Sequence, residues 1–154
     1  MRSKKAITVI AVLAVLCLAL GGFLLYTNRE RPLMEVCPAI AVWNCSDARI
    51  TWQEGSGDGA ITPALSGQEF HDIFAAAHVK KGPSYTLEPV PAFLIRLVDG
   101  TRGYILIVGQ DHSISVASLD DLNSRTFWTD TGGELFSQLY TCHLNNGGQP
   151  IPET

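Results

Sequence analysis

The chain has 154 residues, a mean hydropathy of +0.15, four cysteines and 11 basic against 15 acidic residues. Eight of the basic residues and all 15 acidic ones lie beyond Tyr26, so that part carries a net charge of −7. A body this acidic is repelled by phosphate backbones, which excludes nucleic acid as a partner, and it argues against adhesion to anionic lipid headgroups.

Met1-Arg2-Ser3-Lys4-Lys5 forms a tip with three positive charges. Ala6 to Tyr26 then runs for 21 residues without a charge. A helix of that length reaches about 32 Å, enough to cross the hydrocarbon core of a bilayer. Two readings compete. A retained anchor is favoured by the unbroken length. A cleaved signal, and so a secreted protein, needs a small-residue site such as Ala19-Leu20-Gly21. Cutting there leaves Gly22-Phe23-Leu24-Leu25-Tyr26 as an apolar new N-terminus. The positive tip stays cytoplasmic, so the anchor reading predicts a single-pass protein at the cell membrane with its N-terminus inside and its body outside. Cys17 reads as an inert membrane residue, because Ala14-Val15-Leu16 lacks the small residues of a lipidation site.

Residues 27–35 read as a polar tether, 36–145 as one extracytoplasmic domain, and 146–154 as a disordered tail. About 110 residues suffice for one modest core and not for two. Ala39–Asn44 and Ala48–Gln53 read as strands with a turn at Cys45-Ser46-Asp47. A helix is predicted from Gly67 to Val79. Ser66 and Glu69 have capping-box spacing, and Phe70, Ile73, Phe74 and Ala77 form an apolar stripe. Lys80 and Lys81 suit its negative end, and Gly82-Pro83 stops it.

Period-two segments follow at Ala92–Val98, Gly103–Val108 and Ser113–Leu119, with Arg125–Thr129 as a fourth. Asp99-Gly100-Thr101-Arg102 marks a hairpin turn. A last helix is predicted from Gly132 to Leu144, with Thr131 and Glu134 repeating the capping-box spacing. The expected fold is α+β: a transmembrane helix, then an antiparallel sheet of about four to six strands with two helices, in the order β(β)-α-β-β-β-(β)-α.

In the first two meander strands both faces are apolar. Phe93, Ile95 and Leu97 lie on one side of the first, Leu94, Arg96 and Val98 on the other, and Ile105 and Ile107 of the second continue the latter. Either both faces are covered, or one waits for a partner. Leu94, Arg96, Ile105 and Ile107 are therefore the candidate binding face.

Chemistry-bearing motifs are sparse. His71 and His78, seven residues apart on the predicted helix, are separated by about 10 Å of rise. Imidazoles that far apart do not share an ion whose ligands sit about 2 Å away, so no metal is expected there. Gly55-Ser56-Gly57-Asp58-Gly59 lacks the Lys and the Ser/Thr of a phosphate loop and reads as a linker; no cofactor is expected. Asn44-Cys45-Ser46 fits a glycosylation sequon. Three cysteines, Cys37, Cys45 and Cys142, lie beyond the span. If Pro38–Asn44 is extended, Cys37 and Cys45 stand about 26 Å apart, too far for a bridge, and one of them pairs with Cys142. If that segment curls, Cys37–Cys45 is the alternative.

Ala60-Ile61-Thr62, Glu69-Phe70-His71-Asp72-Ile73-Phe74 and Phe93-Leu94-Ile95-Arg96-Leu97-Val98-Asp99-Gly100 resemble the strand–helix–meander layout of small uncharacterised membrane-anchored extracytoplasmic proteins of Gram-positive bacteria. The resemblance covers about residues 60–145 and implies a fold but no assigned activity. The leading functional expectation is a non-catalytic binding or accessory module at the cell envelope, whose partner is another envelope protein or a peptide. An inhibitor-like or sensory domain acting on a peptide or peptidase, through Gly55–Gly59 and Asp99–Arg102, is the first alternative. A small hydrolase using Glu69, His71 and Asp72 is the second.

Overall fold

The computed structural model of the chain describes residues 2–40, 45–52, 60–85, 89–121 and 124–152. Helix α1 spans Arg2–Thr27, and its Ile7–Thr27 stretch is long and apolar enough to cross a membrane. None of that stretch is buried in the protein, and Ile7, Leu18, Leu25 and their neighbours are exposed.

The rest is α+β. Strand β1 (Arg31–Pro32), helix α2 (Leu33–Val36) and a 3₁₀ turn (Pro38–Ile40) lead into β2 (Cys45–Thr51) and β3 (Ala60–Ile61). Helix α3 (Gly67–Ala76) follows, then β4 (His78–Lys81), β5 (Ala92–Asp99), β6 (Arg102–Gly109), β7 (Ser113–Ser118), β8 (Thr126–Asp130) and α4 (Leu135–Asn145). Among the described residues these strands form one antiparallel sheet of eight, ordered β1-β4-β8-β7-β6-β5-β2-β3. The expected four to six strands are thus exceeded, by the short β1, β3 and β4.

The meander forms where the alternation predicts it. Asp99 pairs with Arg102 across the turn at Gly100-Thr101, and the register runs Phe93↔Val108↔Ile114↔Trp128 across four strands. The core lies on this side. Phe93, Ile95, Leu97, Leu106, Val108 and Ile114 meet Leu33, Phe70, Phe74, Leu135 and Leu139 from the helices. Phe93 packs edge-on against Phe70 and Phe136, at centroid distances of 6.5 and 5.3 Å. Each such side chain contributes about 1.5–3 kcal/mol by leaving water.

Helix α3 starts as the sequence predicts. The Ser66 hydroxyl accepts from the Glu69 amide (3.2 Å), and Glu69 Oε2 accepts from the Ser66 amide (2.7 Å). Its end differs from the expected Val79. Ala77 is extended, with ψ 139°, and the next four residues are β4. Val79 is buried between Arg31 of β1 and Asp130 of β8, a pairing that outweighs continuing the helix. His71 and His78 therefore stand on different elements, and the two-turn argument no longer describes them.

The N-terminal hairpin also differs. Pro38–Ile40 is a 3₁₀ turn, residues 41–44 lie outside the described residues, and Cys45–Asp47 belongs to β2, where the register shifts. The expected turn is a bulge inside the strand. Helix α4 begins at Leu135 rather than Gly132, because Gly133 takes φ +69°, which a helix excludes. Thr131 does not cap it. Asp130 does: Oδ2 accepts from the Leu135 amide (2.8 Å) and Oδ1 from the Gly132 amide (3.1 Å).

The tail, expected to be loose from Asn146, is held to α4. The fully buried His143 accepts from the Ala64 amide at Nδ1 (2.8 Å), and its Nε2 donates to the Gln149 carbonyl (2.9 Å). Ile151 donates its amide to the Tyr140 hydroxyl at 2.9 Å. One ring thus ties the approach to α3 and the tail to the same helix. Replacing His143 by Ala removes it and leaves two backbone groups unpaired, at an expected cost of about 2–4 kcal/mol. Urea unfolding of the full chain in detergent, followed by tryptophan fluorescence, measures this as a lower midpoint at unchanged slope. A loss below about 0.5 kcal/mol, the size of an ordinary surface substitution, would show that the ring does not hold these segments.

Candidate functional site

The helices α2, α3 and α4 cover one side of the sheet, and the other side is the candidate site. Cross-strand register defines it. Arg49, Leu94, Ile107, Ser115 and Phe127 form one row, and Asp47, Arg96, Ile105 and Ala117 the next. The rows are unequally covered. Ile107, Ser115 and Ala117 are buried, while Leu94 and Ile105 are half-buried and Arg96 is exposed. The cover comes from the chain between β4 and β5. The Tyr85 ring meets Phe127 edge-on at 4.8 Å, and Pro89 packs over Gly109. The face is thus covered towards β7–β8, while Leu94, Ile105 and Arg96 keep exposed surface at β5–β6. Of the four residues expected to form a binding face, Ile107 is not accessible and the other three are. Arg49 and Asp47, ion-paired at 3.0 Å, border the patch.

The residues expected to carry chemistry are engaged elsewhere. Glu69 closes the α3 cap, and its second oxygen, Oε1, accepts from Asn146 Nδ2 (2.8 Å) and from the Cys142 thiol (3.4 Å). The Asn146 amide, and then the Ser66 backbone, hold its carboxyl down to about 2. His71 Nδ1 lies 3.4 Å from Asp72 Oδ1, which also accepts from Gln68 at 2.7 Å. This pair sits exposed on α3, and the Glu69 carboxylate turns instead toward α4. The three do not converge on one substrate position.

Neither well-described outer cysteine is poised as a nucleophile, which requires the thiolate. Cys37 lies in the core, where burial pushes its thiol up to about 11. Cys142 is raised by desolvation and then by Glu69. Both are free thiols, so the expected bridge from Cys37 or Cys45 to Cys142 is not formed. Its premise fails as well, since the chain curls at Pro38–Ile40 instead of extending. The Cys45 side chain, the Asn44 sequon position and the Gly55–Gly59 loop lie outside the described residues.

A small cleft of about 180 Å³ opens where β4, β8 and α4 meet, with Glu30, His78, Asp130, Thr131 and Glu134 on its walls. Its polar groups are also tied. Thr131 Oγ1 is within 2.8 Å of Glu30 Oε1 and 3.0 Å of the His78 carbonyl, and Asp130 caps α4. Among the described residues no three of His, Cys, Asp and Glu gather as metal ligands would. Sequence reasoning missed Asp130 and His143. The signal for the first was an aspartate just before Thr-Gly-Gly, a turn that favours capping. The second had none beyond its place on the apolar arc of α4.

No protein family matches the chain, and neither a curated protein nor a solved structure does.

Glu69 sets an acid dependence. Because its folded value lies below the ordinary 4.5, its contribution to stability is complete above pH 4.5 and is lost as pH falls towards 2. Urea midpoints measured at intervals across that range should drop for the wild type and drop less for Glu69→Gln. Equal slopes would show that the α3–α4 junction does not depend on this carboxylate.

Proposed function

We propose that the protein is a non-catalytic binding or accessory module held at the outer surface of the cell membrane by α1. The observation that carries this reading is that the candidate catalytic groups do not converge. Glu69 caps α3 and turns toward Asn146 and Cys142, while His71 and Asp72 pair at the surface of α3. A general base acts only within reach of the group it deprotonates, together with the other groups of its site, and these three share no such position.

Anchoring is supported by the exposure of the apolar α1 side chains, which no other part of the chain covers. Arg2, Lys4 and Lys5 before the span against Arg29 and Arg31 after it, the latter partly offset by Glu30, favour a cytoplasmic tip and an outer body. The binding surface is the patch of Leu94, Ile105 and Arg96 on the helix-free side of β5 and β6, rimmed by Asp47 and Arg49. An apolar centre with a charged border suits another envelope protein or a peptide.

Protease added to intact cells should remove a C-terminal tag, while lysed but undigested cells keep the full-length chain in the membrane fraction. A soluble product beginning near Gly22 would replace the anchor by a cleaved signal. A chain shielded until lysis would reverse the orientation.

A further inference from the structure

Beside the last turn of α1 the sheet leaves a groove of about 510 Å³, and Thr27 lies on its wall. The groove exists because β4 is short. Gly82 donates its amide to the Phe127 carbonyl at 3.0 Å, and the chain then turns away at Pro83. A Cβ on Gly82 would come within 2.8 Å of the Trp128 backbone, so only glycine permits this close departure. Beyond it, among the described residues, β8 has no strand on that side, and Arg125, Thr126 and Phe127 line the groove.

The lining is basic and aromatic. Arg31, Lys81 and Arg125 supply three basic groups and Trp128 and Phe127 two rings, and among the described residues no acidic one lines the groove. Register places the first two cations together. Arg31 pairs with Val79, and Lys81, two residues on, pairs with Trp128, so their side chains leave the same side of the sheet. The Arg31 guanidinium stands 3.8 Å from Glu35 at Nη1 and 5.6 Å from the Tyr26 ring, and its side chain stays partly exposed beside the groove.

We infer that this groove binds the phosphate of an anionic glycerophospholipid in the leaflet from which α1 emerges. The inference rests on the reading of α1 as a retained anchor, since that places Thr27, and hence the groove, at headgroup depth. Guanidinium and ammonium groups match phosphate oxygens, and Trp and Phe suit the boundary between headgroup and acyl chain. The net −7 of the body does not oppose this locally, because Glu35, which stands 3.8 Å from Arg31, pairs more closely with Arg29 at 3.3 Å. The lipid would dock the body against the bilayer and fix the orientation of the sheet above it.

Native mass spectrometry of the full chain released from detergent tests this with phosphatidylglycerol, phosphatidylcholine and inorganic phosphate as probes. One phosphatidylglycerol should be retained in preference to phosphatidylcholine. Lys81→Gln, an exposed change that leaves the fold intact, should weaken it about fivefold, the loss expected for one basic group near anionic headgroups. Arg31→Gln/Lys81→Gln/Arg125→Gln should abolish the preference, and Lys4→Gln/Lys5→Gln, at the opposite end of α1, should keep it. Equal retention by wild type and triple variant would overturn the inference. So would displacement of the lipid by millimolar inorganic phosphate, which would make the groove a site for the free ion. The same spectrum gives the mass of the chain, so loss of α1 is seen separately from loss of the lipid.

Discussion

Phe93, Ile95 and Leu97 point from β5 into a core that α2, α3 and α4 close from one side only. That one-sided closure is the constraint on which the rest of the body depends. Among the described residues there is no second layer of helices, so the opposite face is covered by loop or left open. Tyr85 covers Phe127 of β8 and Pro89 covers Gly109 of β6. Leu94 and Ile105 stay half-buried. The polar residues follow from the same constraint. Two short helices lying over a sheet need their ends satisfied, and Glu69 and Asp130 provide this from within the fold.

The parts of the fold legible in the sequence were those with repeated local signals. Alternation over six to eight residues announced β5, β6 and β7, and the Ser66–Glu69 pair announced the start of α3. The two-residue β1 and β3 and the four-residue β4 are too short to show a period. They exist because the sheet edge recruits them, which is a tertiary event. The Thr131–Glu134 spacing resembled that of Ser66–Glu69. A capping box also needs helical backbone right after the cap, and Gly132-Gly133 does not supply it.

The candidate site was half legible. The double-sided apolar pattern at Leu94 and Ile105 correctly marked a face that the helices leave uncovered. It could not separate Ile107, because the covering Tyr85 comes from a loop with no fixed relation to the strand pattern. The cysteine argument failed at its first residues, since Pro38–Ile40 form a 3₁₀ turn and not a strand. Pro38 could have warned of this, since it lacks the amide a strand ladder needs. His143 lies on the broad face expected for the last helix, but its role depends on two backbone groups outside that helix, the Ala64 amide and the Gln149 carbonyl.

On the proposed reading, α1 carries the body at the bilayer, the groove orients it, and the helix-free side of the sheet is presented to a partner. The account's central claim is that function resides on that bare side. Photo-crosslinking in intact cells, with a benzophenone side chain placed at Ile105 in one strain and at Gln138 beside the acidic cleft in another, tests it most directly. The account predicts a discrete adduct with an envelope protein or peptide from Ile105 and none from Gln138. A reproducible adduct from Gln138 alone would contradict it and move the functional site to the cleft of His78 and Glu134.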